Sequence, residues 1–168
     1  MKRIEVYLYK SQKPWQRLAD RVISSYTGIF PCNWGTEPYS HAAMGLEDSI
    51  FNIITIESTS RKTITGEDGV RWSTKDVLLR NPERWDMFWT YVTPNQLRGM
   101  RARAANQDGK RYDWLGIAGF AMPVNIQKKD KWYCSELVWY ILTGKVRRVS
   151  PRHLSKWIKK LGFQKGAL

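Results

Sequence analysis

Lys131-Trp132-Tyr133-Cys134-Ser135-Glu136-Leu137-Val138-Trp139-Tyr140 is the stretch on which the reading of this chain turns. Leu137, Val138 and Ile141 follow Cys134 at the spacing of one helix face, three, four and seven positions on. A helix opening at the cysteine would dock by that stripe and aim its Cys end at whatever a sheet presents. The placement matters chemically. Only the thiolate is a strong nucleophile, and a helix N-terminus is one of the few places that favour it without a second charge. A lone Cys on an apolar helix is more commonly a small buried hydrophobe, so its surroundings have to decide.

Thiol catalysis needs a base, and the chain has two histidines, His41 and His153. His153 falls in the first turn of a last helix beside Arg152, where a solvated surface role is natural. His41 begins or flanks a strand and is followed by Ala42, Ala43 and Gly45, small residues that would leave room for another group to approach. His41 is therefore the favoured base. A Cys and a His far apart in sequence but adjacent in space are the trace of nucleophilic thiol chemistry. A third group orients the imidazole and stabilises its charged form. Glu57, closing the strand after the one that carries His41, would come within reach in an antiparallel hairpin. Glu136 is the competing acid, although a carboxylate in the first turn of the Cys helix is accounted for by the helix dipole alone.

Outward from these residues the elements follow from periodicity and punctuation. Ile4–Tyr9 reads as a first strand, and Trp15–Tyr26 as an amphipathic helix with Pro14 near its start and Gly28 past its end. Residues 50–57 are rich in β-branched side chains and make the strongest strand, joined to the His41 run through Glu47-Asp48-Ser49. After a turn at Gly66–Gly69, strands are expected at Val70–Trp72 and Trp85–Val92. Thr93-Pro94 opens a basic helix to about Asn106 with Leu97, Met100 and Ala104 on its inner face. Gly109–Ala121 reads as a short helix and Met122–Asp130 as a loop. The Cys134 helix runs to about Leu142, and a last helix from Ser150-Pro151 buries Leu154, Trp157, Ile158 and Leu161. With no linker and no repeat, residues 1–168 read as one α+β domain.

Composition bounds the function classes. The chain has 168 residues, nine Trp, eight Tyr, two Cys and a net charge of +13, with a pI near 9.9. Such a charge points to anionic partners: nucleic acid, an anionic membrane surface, or an acidic polymer such as cell wall. Cys32 and Cys134 are too few for a disulfide scaffold, and a bridge between them would consume the nucleophile. Two His and two Cys at these separations match no metal-ligand spacing, and no cofactor is called for. No run of about eighteen apolar residues is present, so no membrane span is expected. The start of the chain has no secretion-signal core, which predicts a cytoplasmic protein.

His41, the strand ending in Glu57, Gly109-Lys110-Arg111-Tyr112-Asp113, and Trp132-Tyr133-Cys134-Ser135-Glu136-Leu137-Val138 together resemble the circularly permuted NlpC-like (papain-like) cysteine hydrolases. The nearest branch is the YiiX/YycO group and its phage-encoded relatives. The resemblance covers about residues 39–145, with a weaker echo in Val149–Leu154. It implies a permuted papain-like fold, an antiparallel sheet packed against the helix carrying the cysteine. It also implies Cys134 as nucleophile, His41 as base and Glu57 as orienting residue. Tyr112 would set its hydroxyl near the reacting carbonyl, and the backbone N–H of Cys134 would help hold the oxyanion. The Gly-Asp-Ile/Val segment of cellular members is missing here, its place taken by the expected Trp15–Tyr26 helix, so the resemblance does not carry over the family's substrate groove or substrate.

The resulting expectation is a thiol hydrolase or amidase acting through an acyl-enzyme on an amide, in peptidoglycan or a peptide. Two other readings stay open. One is a lipid acyl hydrolase or acyltransferase, which the permuted branch also resembles through lecithin-retinol acyltransferase-type proteins. The other is a non-enzymatic basic module that binds nucleic acid through Arg98, Arg101, Arg103 and Trp114, although no nucleic-acid recognition signature accompanies them.

Overall fold

Alternation along Ile4-Glu5-Val6-Tyr7-Leu8-Tyr9 sends successive side chains to opposite faces of a strand, and both faces are covered. Strand β1 (Lys2–Lys10) buries Ile4, Val6 and Leu8 in the main core and Tyr7 and Tyr9 in a second cluster. The structure, a computed structural model, describes residues 1–10, 39–48, 52–60, 68–114 and 130–168. The expected Trp15–Tyr26 helix, Cys32 and most of the expected Met122–Asp130 loop lie outside the described residues.

Strands β2 (Tyr39–Glu47), β3 (Ile53–Thr59), β4 (Gly69–Thr74), β5 (Trp85–Val92) and β8 (Gln164–Gly166) join β1 in a six-stranded sheet of order β4-β3-β2-β1-β5-β8. Every pairing in it is antiparallel. A second, parallel pair is made by β6 (Arg111–Tyr112) and β7 (Lys131–Trp132). Helices α1 (Lys75–Leu78), α2 (Pro94–Ala105), α3 (Cys134–Thr143) and α4 (Pro151–Lys160) complete the described elements with a 3-10 turn at Pro82–Arg84. The chain is thus α+β, an antiparallel sheet packed against helices, with the cysteine at the first residue of α3.

Apolar stripes dock the helices. Leu137, Val138 and Ile141 are wholly buried in the main core with Ala42, Met44, Leu46 and Ile56 of the sheet, and α3 lies on β2 and β3. Leu154 and Ile158 fasten α4 in the same way. Of the other two residues expected inside, Trp157 is only partly buried and Leu161 is 52% exposed, because Leu161 falls just past the last turn of α4. Helix α2 begins in a capping box: Thr93 accepts from the Gln96 N–H and Gln96 accepts from the Thr93 N–H. At the far end of α3, Gly144 takes the left-handed conformation, φ 73°, and Arg103 of α2 donates to the Ile141 carbonyl at 2.6 and 2.9 Å. Those bonds satisfy a carbonyl that the helix end leaves without a partner.

The predicted short helix after Gly109 is corrected at its start, where β6 forms instead. A close approach explains it. At Gly69, φ 130°, a Cβ would stand 2.2 Å from the Lys110 carbonyl oxygen, so only glycine lets β4 lie against residues 109–111. Bonds from Val70 N–H to the Lys110 carbonyl and from Gly109 N–H to the Val70 carbonyl then hold the two segments together. Gly45 carries a second correction. The space beside it is filled by Ile53, whose Cγ2 stands 2.6 Å from where a Cβ would be, and by the Tyr7 ring. With Ala42 and Ala43 fully buried as well, the small residues after His41 serve packing rather than access to the histidine.

Candidate active site

His41 lies near one end of the sheet. It pairs with Tyr9 of β1, which in turn pairs with Trp85, the first residue of β5. Between His41 and Tyr39 the register shifts, because Lys10 follows Tyr9 directly while Ser40 is extra on β2. A bulge of this kind bends a strand and increases its twist, and it re-aims the side chains next to it. The bulge turns His41 at the end of the sheet, where both Trp85 and the start of α3 come within its reach. Its ring accordingly meets the Trp85 ring edge-on, centroids 5.9 Å apart.

Glu57 pairs across the sheet with Ala43, one position diagonal from His41 on the same face. Its Oε2 stands 2.7 Å from His41 Nε2. Strand β3 continues two residues past it to Thr59, so Glu57 does not close its strand as the sequence suggested. That extension brings in a residue to which no role had been given. Arg71 is the direct partner of Glu57 on β4, and it donates to Glu57 Oε1 from Nε at 3.2 Å and Nη2 at 3.0 Å. The carboxylate therefore has a histidine on one oxygen and a guanidinium on the other.

Cys134 comes to the same imidazole from α3. It is a free, buried thiol. Its side chain acts on the His41 ring by charge and by hydrogen bonding, while Glu57 engages Nε2 of the same ring. Burial pushes the His41 imidazole down, but Cys134 and then Glu57 outweigh it and hold the ring up at about 10 from an ordinary 6.5. For Glu57, burial pushes the carboxyl up, and the His41 and Arg71 partners reverse this and hold it at about 2. The groups thus stand in the order carboxylate, imidazole and sulfur.

Several bonds fix where the cysteine sits. Ser58 of β3 donates to the Trp132 carbonyl at 2.6 Å, two residues before Cys134. The Trp132 indole donates to Gln107 at 2.9 Å. The Tyr133 hydroxyl accepts from the Val149 N–H at 2.6 Å, and Ser135 donates to the Val149 carbonyl at 2.5 Å. The Val149–Leu154 segment is thereby tied to the start of α3, and the Ser135 hydroxyl is committed to that tie. No side chain caps the first turn of α3, so the positive end of the helix faces the thiol without a competing acceptor from its N-cap residue.

Tyr112 lies beside this turn. It pairs with Trp132 across β6 and β7, is buried, and packs edge-on against Trp114 at 5.2 Å. Glu136 does not do what the helix-dipole argument expects. It is wholly buried, and burial, then the Asp113 charge, push its carboxyl up to about 8. The Tyr133 backbone N–H favours the ionised form without making a bond of ordinary geometry to it. At neutral pH Glu136 is therefore mainly protonated and contributes little charge to the helix start. His153 is exposed, and its Nδ1 stands 2.9 Å from the hydroxyl of the N-cap Ser150. It belongs to the capping of α4.

Among the described residues, no group of three or more His, Cys, Asp or Glu stands together in a way that would hold a metal ion, and no helix is long and apolar enough to cross a membrane. Arg71 and Trp85 are the site residues that sequence reasoning missed. The strand signals at Val70–Trp72 and Trp85–Val92 were the available clue, but pairing register decides which side chains meet. Compared with protein-family models and with curated proteins, the chain matches none.

Proposed function

We propose that this protein is a cysteine hydrolase of the permuted papain-like, NlpC-like type, acting on an amide through an acyl-enzyme. The observation that carries the reading is one imidazole shared by Glu57 on Nε2 and by the thiol at the N-terminus of α3. The proton that His41 holds is the one Cys134 gives up, and the thiolate so formed attacks the carbonyl carbon. Negative charge then gathers on the carbonyl oxygen at the start of α3, where the Cys134 N–H and the helix dipole favour it. The resemblance adds the Tyr112 hydroxyl there. As the tetrahedral intermediate collapses, the imidazolium gives its proton to the leaving amine and the acyl group stays on sulfur. A water molecule, deprotonated by His41, attacks the thioester, and the acid leaves as the thiol is restored. Glu57 keeps the imidazole oriented and supports its charge throughout, and Arg71 keeps Glu57 ionised.

A peptide or peptidoglycan amide is the proposed substrate class, with a lipid acyl ester or thioester as the second. Both use the same steps, with an alcohol or thiol leaving in place of the amine. The nucleic-acid reading is weakened by the arginines themselves. Arg101 donates to the Glu47 backbone carbonyl, Arg103 to that of Ile141, and Arg98 to Asn95. Trp114 is exposed, but its indole is bonded to Asp68 at 2.9 Å.

The test is turnover of acyl-peptide, muropeptide and short-chain acyl ester substrates by the wild type and by Cys134→Ala. Loss of every activity in the variant, with its circular dichroism unchanged, is the expected result. Full turnover by Cys134→Ala would overturn the mechanism, because Ser135 is held by Val149 and offers no substitute.

A further inference from the structure

Helix α4 buries one face and presents the other to solvent, and the outer face is unlike the rest of the basic surface. His153, Lys156 and Lys160 recur along it at three and four residues and are exposed, as is Lys159 at its edge. Trp157 lies beside this row, only partly buried, and Leu161 follows it four residues on, 52% exposed. The loop before the helix adds Lys145, Val146 and Arg147, with Val146 57% exposed.

These residues form one surface. The Arg147 guanidinium sits 5.7 Å from the Trp157 ring centroid and the Lys160 ammonium is also 5.7 Å from it. Arg147 reaches the Trp139 ring of α3 as well, at 6.0 Å, and the two indoles meet edge-on at 5.4 Å. Elsewhere several described cations pair with a carboxylate, among them Lys2, Arg3, Lys10, Arg71, Lys75 and Lys165. No ion pair among the described residues involves Lys145, Arg147, Lys156, Lys159 or Lys160.

We infer that the outer face of α4, with the Lys145–Arg147 loop, is a docking surface for an anionic lipid bilayer. Charge complementarity argues for an anionic partner, and the apolar residues choose among anionic partners. A soluble polyanion makes use of the lysines and arginines but offers nothing to exposed aliphatic chains such as Val146 and Leu161. A bilayer surface takes both, since its headgroups attract the cations while its interfacial zone accepts an indole and aliphatic side chains. The bonds from Val149 to Tyr133 and Ser135 tie the start of this helix to the start of α3, so docking along α4 would bring the Cys134 end of the molecule towards the membrane surface. The inference does not depend on the chemistry at Cys134, because binding is read without turnover.

The experiment is sedimentation of the full chain with phosphatidylcholine vesicles, with and without phosphatidylglycerol, at low and high salt. Alongside it, binding to a single-stranded oligonucleotide and to a teichoic acid is measured. Binding is expected only with phosphatidylglycerol present, and it should weaken as salt rises. Lys156→Glu with Lys160→Glu should lower vesicle partitioning by roughly tenfold or more. Val146→Ser with Leu161→Ser should lower it several-fold while leaving oligonucleotide and teichoic-acid binding as in the wild type. Circular dichroism controls for folding. Wild-type vesicle binding by the Val146/Leu161 variant would overturn the bilayer assignment and leave a simple polyanion surface. Failure of the wild type to bind anionic vesicles at low salt would overturn the docking surface itself.

Discussion

His41 is the residue on which the site depends, and its titration is the sharpest test of the geometry. Cys134 and Glu57 together hold the ring up at about 10, against the burial that pushes it down. In Cys134→Ala the foremost of those supports is gone, so the His41 pKa should fall, read by NMR of the imidazole carbons against pH. An unmoved titration would show that thiol and ring are not coupled. Glu57→Gln should lower the same pKa by removing the other support, and reduce turnover roughly hundredfold. It should also flatten the pH dependence of stability. A carboxyl held at about 2 stabilises the fold above its unfolded value near 4.5 and loses that contribution as pH falls through about 2. A raised His41 contributes fully below 6.5 and loses its contribution as pH rises through about 10. Urea unfolding of the wild type should therefore show stability falling as pH drops below about 4.5, and this acid edge should be smaller in Glu57→Gln. Cys134, His41 and Glu57 were legible in the sequence as candidates, because thiol chemistry would admit few residue types in each role. Arg71 was not, because an arginine in a strand declares nothing until the register sets it opposite Glu57.

At the scale of elements, local chemistry was a good guide where an element is punctuated and a poor one where it is not. The helix from Pro94 starts where Thr93-Pro94 and Gln96 place it, since the capping box is made by residues three apart. Strand Trp85–Val92 matches its apolar run. By contrast, β7 and β8, two and three residues long, have no periodicity to read, and they exist because β6 and β5 offer them edges. The small residues of β2 were readable as small but not as filled. Gly45→Val puts a side chain where Ile53 Cγ2 and the Tyr7 ring already stand. It should destabilise the protein by about 1–3 kcal/mol, measured as a shift in the denaturation midpoint. An unchanged midpoint would mean that β2 and β3 can separate at that point without loss.

For the whole molecule the net charge of +13 separates association from chemistry. Binding to an anionic surface should weaken steeply with salt, because it rests on solvated lysines and arginines. Hydrolysis of a small neutral substrate should hardly change, because the imidazole and carboxylate are mostly shielded from solvent. Equal salt dependence of the two would place the basic surface inside the active site. By itself, the sequence determined the α+β class, the apolar faces that dock α3 and α4, and the small set of side chains able to perform thiol chemistry. All of these follow from residue type and from spacings of a few residues. Tertiary structure alone decided that Arg71 supports Glu57, that Trp85 covers the His41 ring, that Glu136 is buried and mainly neutral, and that Arg101 and Arg103 serve backbone carbonyls. The physical reason is the same in each case. These are contacts across strand register and between elements far apart in the chain, where burial and partner set the charge of a group, and neither is written in its neighbours.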